Sequence, residues 1–473
     1  MTNTVALPAL SPALAGTREN AQPRTMLIAL FLLAHVPLAL LMHKMNAVAT
    51  AHALGCFALG AFWALQPRKP ERVAYACAYI AGSEVLWRMA SASIFWEFAK
   101  YSMSAICMLA MLRLPKFRRH DPSMVYFGLL VPSAVLVFME NEFTYARQEI
   151  SFNLSGPFAL MISVWFFSNI KLTLGQLRRV FLALMGPAAG IAAITISSTY
   201  VSANIRFGKN SNFASSGGFG PNQVSAILGL AAFFGFVYLM QDLNVKTSLK
   251  LLLGAAMIVF TVQTAMTFSR GGLYLEGACG VLTAFCLIRE PRQRTRFLVI
   301  VAIAALLVKF IFLPVLDSFT TGALSARLSD KNLTNRDRLM RADLKIWAEH
   351  PFFGVGPGGS REERQRLAGV SIAHTEFTRL LSDHGILGLL ALAPLLFTCL
   401  ERFKKARSPA AKAVVSSCMA WTLLYMMING MRLVAPSLLF GLACVELATA
   451  KRYYLLVETE QEFQTAPLNP RLS

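Results

Sequence analysis

The sequence predicts an all-α, polytopic membrane protein of about 12–14 transmembrane helices with one long, partly helical loop on a single side. Three observations predict it. Hydrophobic residues make up 55% of the chain, mean hydropathy is +0.52, and only 15% of residues are charged, against about 25% in soluble domains. The apolar residues cluster in stretches of about 20, the length a helix needs to cross a hydrocarbon core. Basic and non-basic connections alternate between those stretches.

Residues 1–25 lack the pattern of a cleaved leader and read as a disordered cytoplasmic tail. Apolar spans follow at roughly 26–42, 46–65, 73–90, 94–112, 123–139, 152–170, 179–198, 222–240, 249–267, 272–288 and 297–316. These make an N-terminal bundle, 26–316. After the loop 317–379 come spans at roughly 380–399, 411–429 and 433–449, forming a C-terminal set, 380–450, and a second cytoplasmic tail, 451–473. The connections QPRKPER (66–72), RLPKFRRH (113–120), 171–179, REPRQRTR (289–296) and ERFKKAR (401–407) are basic. Basic loops stay in the cytoplasm, so both termini are expected inside, and 199–221, 268–271, 317–379 and 430–432 outside. The net charge of +20 therefore orients the chain and does not indicate nucleic acid. All eight cysteines lie in apolar runs and read as small core residues, with no disulfide framework or metal site.

The loop 317–379 is the one long polar segment, and it is rich in arginine although it faces outward: Arg327, Arg336, Arg338, Arg341, Arg361, Arg364, Arg366 and Arg379 at its end. External loops usually lack such enrichment, so an anionic ligand is expected. Within it, a helix capped by Thr334 or Asn335 should run to about Glu349. Met340, Leu344 and Trp347 share one face, which should pack on the membrane or the bundle; Arg338, Arg341 and Lys345 lie opposite. HPFFGVGPGG must end it.

Four features bear chemistry: Arg206, before SSGGFGPNQ; Arg270 in TFSRGG, at the outer end of a span; the loop helix with Arg336, Arg338 and Arg341; and His374 in AHTEF. Guanidinium is a permanently charged fork that matches phosphate oxygens. Arg270 at a helix end either snorkels or binds something, and Gly271-Gly272 would let a ligand approach the backbone. Each loop arginine alone also reads as a solvated charge, and Asn222 as a plain helix cap. His374 titrates in the range of a general base; a structural role is the alternative, and His350 and His384 compete with it. Glu84 with Arg88, and Glu97 with Lys100, are spaced to pair on helices. The chain has no DxD pair, HExxH, CxxC or P-loop, so metal-dependent transfer from a sugar nucleotide and ATP-driven pumping lack their machinery.

GGFGPNQ, TFSRGG, NRDRLMRADLKIWAEHPFFGVGPGG and AHTEFTRLLSDHGILGLL, in that order over about 200–390, resemble the motifs of the O-antigen ligase and O-antigen polymerase superfamily of bacterial inner-membrane, GT-C-like glycosyltransferases. The run W-x-x-HPFFGVGPGG followed by AHTEF carries most of the resemblance. Thr375 departs from it, since the family commonly has Asn after the histidine.

The resemblance implies transfer of a glycan from an undecaprenyl-diphosphate carrier to an acceptor hydroxyl at the periplasmic face, without metal or other cofactor. Arg206 and Arg270 are then expected to clamp the diphosphate, supported by Arg336, Arg338, Arg341 and Asn222. His374 is expected to take the acceptor's proton, with inversion at the transferred sugar, and the loop to act as a lid. Lipid A–core is the expected acceptor, making an O-antigen ligase. A polymerase or a protein O-oligosaccharyltransferase of the same superfamily is the alternative. An anionic-lipid flippase is the different-class alternative; it would call for inverted repeats and broken helices around a midplane site, neither of which the sequence shows.

Overall fold

The structure, a computed structural model, describes residues 25–66, 69–201, 205–208, 210–241, 245–288, 291–330, 336–369 and 375–448. Each expected span falls on a helix or a helix pair. The first half runs α1 (Thr25–Lys44), α2 (Asn46–Leu65), α3 (Pro70–Met89), α4 (Phe98–Met111), α5 (Asp121–Gly128), α6 (Val131–Glu140), α7 (Phe143–Ser168), strand β1 (Lys171–Thr173), α8 (Leu174–Val201) and α9 (Pro221–Gln241). The second half runs α10 (Thr247–Met266), α11 (Arg270–Leu287), α12 (Pro291–Leu307), α13 (Leu313–Phe319), α14 (Ala323–Ser329), α15 (Arg336–Glu349), α16 (Ser360–Ala368), α17 (Glu376–Lys405), α18 (Pro409–Asn429), α19 (Ala435–Leu442) and strand β2 (Glu446–Ala448).

Among the described residues, ten helical segments are long and apolar enough to cross a membrane. The other four expected spans fall short for physical reasons. α3 and α11 carry charged residues inside, Glu84 with Arg88 and Arg270 with Glu276. α4 has 14 residues, and α19 only 8, or about 12 Å of helix at 1.5 Å per residue. α19 can be short because it packs inside the protein along α7: a Cβ at Gly441 would collide with Ser163 and Phe167, and one at Gly156 with Met431. Its chain then continues to β2, which pairs in parallel with β1. This ties Glu446–Ala448 to the basic 171–179 connection.

The core lies among α3, α7, α8, α9, α18 and α19, each of them mostly buried. α1, α2 and α10 present one face outward, and the hydrophobic run through α12 and α13 has no buried residue among those described. A membrane removes the penalty for such exposure, since lipid solvates apolar side chains.

The long loop is fastened to the bundle by its glycine-rich turn. α17 is broken at Gly385 (φ 60°, ψ −141°), a conformation that belongs essentially to glycine. The break frees backbone groups that the turn takes up. Val355 N–H donates to Ser382 O (3.0 Å), Gly356 N–H to Asp383 O (2.9 Å), and Ile386 N–H to Pro351 O (2.8 Å). A Cβ at Gly385 would fall on the Phe352 carbonyl. Asp383, fully buried, accepts from the Ser360 hydroxyl and pairs with Arg379 at 3.0 Å. HPFFGVGPGG thus ends one helix and docks into the break of another.

α15 begins at Arg336 and ends at Glu349, as expected, but it is turned about its axis. Leu339, Ala342, Asp343 and Ile346 are buried, whereas Met340 and Leu344 are 40% and 42% exposed. A buried ion pair decides the orientation. Asp343 meets Arg364 of α16 at 2.8 Å and accepts from Thr378 Oγ1 at 2.7 Å. An apolar-face reading cannot anticipate a carboxylate turned inward.

Candidate functional site

Of the cavities at the end of the bundle that carries the long loop, two share the N-terminus of α9. Asn222 lines one; Gly220 and Gln223 line the other.

The smaller cavity, about 430 Å³, gathers Asn222, Ser269, Arg270, Arg327, Asp330 and Arg336. Pro221 opens α9, where its fixed φ suits the first helical position. Asn222 stands inside the helix and not at its cap, so the plain-cap reading fails. Its Oδ1 accepts from Ser269 Oγ at 2.7 Å, and Ser225 Oγ donates to Ser269 Oγ at 3.2 Å. The GPNQ and SRGG motifs are therefore bonded to each other. Gly272 serves helix packing and not ligand approach: a Cβ there would strike the Ser225 carbonyl, and its N–H donates to Ser225 Oγ at 3.2 Å.

Arg270 opens α11 and donates to the Asp330 carbonyl. Arg327 donates to Phe268 O at 3.1 Å and pairs with Asp330 at 3.5 Å. Arg336 opens α15. Burial holds the Arg336 guanidinium below its ordinary pKa, and Arg270 and Arg327 push it further. Arg327 is lowered by burial and by Arg270, with Asp330 opposing. Among the described residues three guanidiniums are held together here against one carboxylate, so an anion in the cavity would relieve their repulsion.

The larger cavity, about 540 Å³, is lined from α4, α7, α9, α16, α17 and the 429–432 turn. Arg379 is pinned by Glu376, by Asp383 and by Asn153 Oδ1 at 2.9 Å. Arg361 pairs with Glu149 at 2.9 Å and lies over the Phe152 ring. Lys100, 2% exposed, does not pair with Glu97; it donates to Ser155 Oγ at 3.3 Å. Glu84 and Arg88 do pair, at 2.7 Å, and tie three segments together. Arg88 donates to Gln223 Oε1 (2.7 Å) and Trp96 O (3.0 Å), while Glu84 accepts from Val434 N (2.7 Å). Burial draws Arg432 down to about 10.

The structure thus brings Asn222, Arg270 and Arg336 together and leaves Arg206, Arg338 and Arg341 apart from them. Arg206 is exposed and lines neither cavity. Its neighbour Phe207 stacks on Phe268, ring centroids 5.3 Å apart, which sets its segment over the SRGG turn. Arg338 and Arg341 are exposed on the outer face of α15 and line neither cavity, because the Asp343 face turns inward. His374 lies outside the described residues. Its chain neighbour Thr375 caps α17, accepting from Thr378 N at 3.1 Å, and lines the larger cavity. Thr375 also hydrogen-bonds Thr378 Oγ1 at 2.7 Å, and Thr378 reaches Asp343. The family's Asn is thereby replaced by a cap tied to α15. His384 is fully buried at the break in α17, bonded to Ser133, and His350 is exposed beyond α15. Among the described residues no group of His, Cys, Asp and Glu is placed to hold a metal ion.

Residues 255–393, from α10 into α17, match the family model described as O-antigen ligase. This part of the chain thus carries an O-antigen ligase domain. That stretch holds Arg270, Arg327 and Arg336, the Asp343–Arg364 pair and the break at Gly385. Among curated proteins nothing matches the chain. This O-antigen ligase domain belongs to a family of glycosyltransferase-like enzymes, and its helices make the protein a multi-pass membrane protein. Sequence reading passed over Arg327, Lys100, Arg379, Asn429 and Arg432 as site residues. Arg379 carried a signal, because Glu376 and Asp383 flank it at helical spacing; the others meet the site only through folding.

Proposed function

We propose that this protein is an O-antigen ligase that moves a glycan from undecaprenyl diphosphate to a hydroxyl of lipid A–core, at the periplasmic face of the inner membrane. One observation carries the reading. Asn222, Arg270 and Arg336 come from three separate segments and meet, with Arg327, in one cationic cavity.

The guanidiniums hold the donor's diphosphate. As the bond from the sugar's anomeric carbon to the diphosphate breaks, negative charge grows on the leaving oxygen, and fixed donors stabilise it. Arg206, outside the cavity on the neighbouring segment, adds only a more distant positive charge. The acceptor hydroxyl needs a base, and His374, next to the Thr375 cap, takes its proton. A single displacement with one base inverts the anomeric centre. The lipid diphosphate leaves well, so this chemistry needs no metal, and turnover should survive EDTA.

The test is purified protein in nanodiscs, given undecaprenyl-diphosphate-linked glycan and lipid A–core. Arg270→Ala and Arg336→Ala should each lose on the order of 10²-fold in turnover. Arg270→Lys should stay poor, because a point charge does not replace a fork. His374→Ala should lose transfer but keep donor binding, and the rise of rate with pH near the histidine pKa, about 6.5, should vanish. Near-wild-type turnover in the arginine variants defeats the clamp. A deletion strain that makes lipopolysaccharide with a single repeat unit would point instead to a polymerase.

A further inference from the structure

The larger cavity holds more recognition chemistry than the diphosphate reading uses. Asn429 ends α18 and is 1% exposed, yet among the described residues neither its Nδ2 nor its Oδ1 has a hydrogen-bond partner. An amide buried without partners is costly, and this one lines the cavity. Its donor and acceptor sit side by side, the pattern that a pair of sugar hydroxyls satisfies. Trp96 and Phe219 face the same space with ring centroids 6.2 Å apart. Aromatic walls with a few polar groups are how small ligands are oriented. Lys100 adds a buried cation whose hydrogen bond goes to a neutral hydroxyl, and among the described residues no carboxylate lies within ion-pair distance of it.

We propose that this cavity is a second substrate subsite, and that it takes the acceptor: a saccharide carrying a phosphate group, with Asn429 bridging its hydroxyls and Lys100 and Arg432 facing its phosphate. The α9 N-terminus links this subsite to the diphosphate cavity, since Gln223 lines one and Asn222 the other. Thr375, the chain neighbour of the proposed base, lines the acceptor side. An acceptor hydroxyl placed here lies on the side of Thr375 while the leaving group stays with Arg270 and Arg336. Calling the occupant an acceptor rests on the transferase reading; binding of a phosphorylated sugar does not.

The experiment measures equilibrium binding to the full chain in nanodiscs with three probes: glucose 6-phosphate, glucose and farnesyl diphosphate. Glucose 6-phosphate should bind at least ten-fold more tightly than glucose, and together with farnesyl diphosphate. Asn429→Ala and Lys100→Met should each weaken glucose 6-phosphate at least ten-fold and change farnesyl diphosphate less than two-fold. Arg336→Ala should do the reverse. The unliganded Asn429→Ala protein should melt no lower than wild type, because no intramolecular partner is lost. Competition between the two phosphorylated probes would overturn the proposal, as would unchanged glucose 6-phosphate binding in both variants. Inorganic phosphate binding as tightly as glucose 6-phosphate would also overturn it, by leaving an anion site without sugar recognition. If Asn429→Ala loses glucose 6-phosphate while Arg336→Ala keeps farnesyl diphosphate, the sugar subsite stands and the diphosphate clamp falls.

Discussion

Replacing Arg364 with leucine should unlatch the long loop. Arg364 and Asp343 are 3% and 1% exposed and meet at 2.8 Å. Without the guanidinium, Asp343 keeps hydrogen bonds from Thr378 at 2.7 Å and Ser382 at 3.3 Å. Neither neutralises it. Stranding one partner of a buried pair costs about 3–5 kcal/mol. Burial already pushes the Asp343 carboxyl above its ordinary pKa, with Arg364 opposing, and the variant raises it further. The folded state then holds the proton more tightly than the unfolded state. Stability is present below the unfolded pKa, about 3.9, and is lost as pH rises through the folded pKa, so the deficit should grow from acid to neutral pH. Arg364→Leu with Asp343→Leu should recover most of the loss, since an apolar replacement of a whole buried pair is often neutral. Equilibrium unfolding by SDS titration in mixed micelles, at several pH values, measures the cycle. A coupling energy below about 0.5 kcal/mol, or a deficit that shrinks as pH rises, would refute the latch.

Three further outcomes follow from the same geometry. Gly385→Ala should cost about 1–3 kcal/mol in backbone strain alone, plus whatever turn hydrogen bonds its methyl displaces; stability equal to wild type in the same titration would mean that the break is not needed. Arg338→Ala and Arg341→Ala should keep turnover within a few-fold of wild type while Arg336→Ala loses it, because only Arg336 lines the cavity; equal losses in all three would show that the outer face of α15 meets the donor. Single cysteines at Ser329 and Lys404, probed with an impermeant reagent in intact spheroplasts, should label at Ser329 alone; labelling at Lys404 alone would invert the topology.

The motif residues divide by how far their partners lie along the chain. Apolar segments of helical length, the bounds of α15 and the terminating role of HPFFGVGPGG were legible, because each depends on residues within a few turns of one another. The convergence of Asn222, Arg270 and Arg336 was legible as chemistry, though not as geometry. Arg206, Arg338 and Arg341 had the same side chain and the same side of the membrane, and nothing local separated them from Arg336.

By itself, then, the sequence determined that this chain folds as a helical membrane bundle with its arginines and glycine motifs at one end. Lipid imposes that outcome on any chain with these spans, since every backbone group must be bonded within its own helix. Only the tertiary structure decided which arginines share a cavity, because α15 is oriented by Asp343 meeting Arg364, 21 residues away. It also decided that Asn429, without a partner among the described residues, is buried at the cavity that Thr375 lines too. Burial of a polar group depends on helices far apart in the chain closing around it, and no window of sequence contains them all.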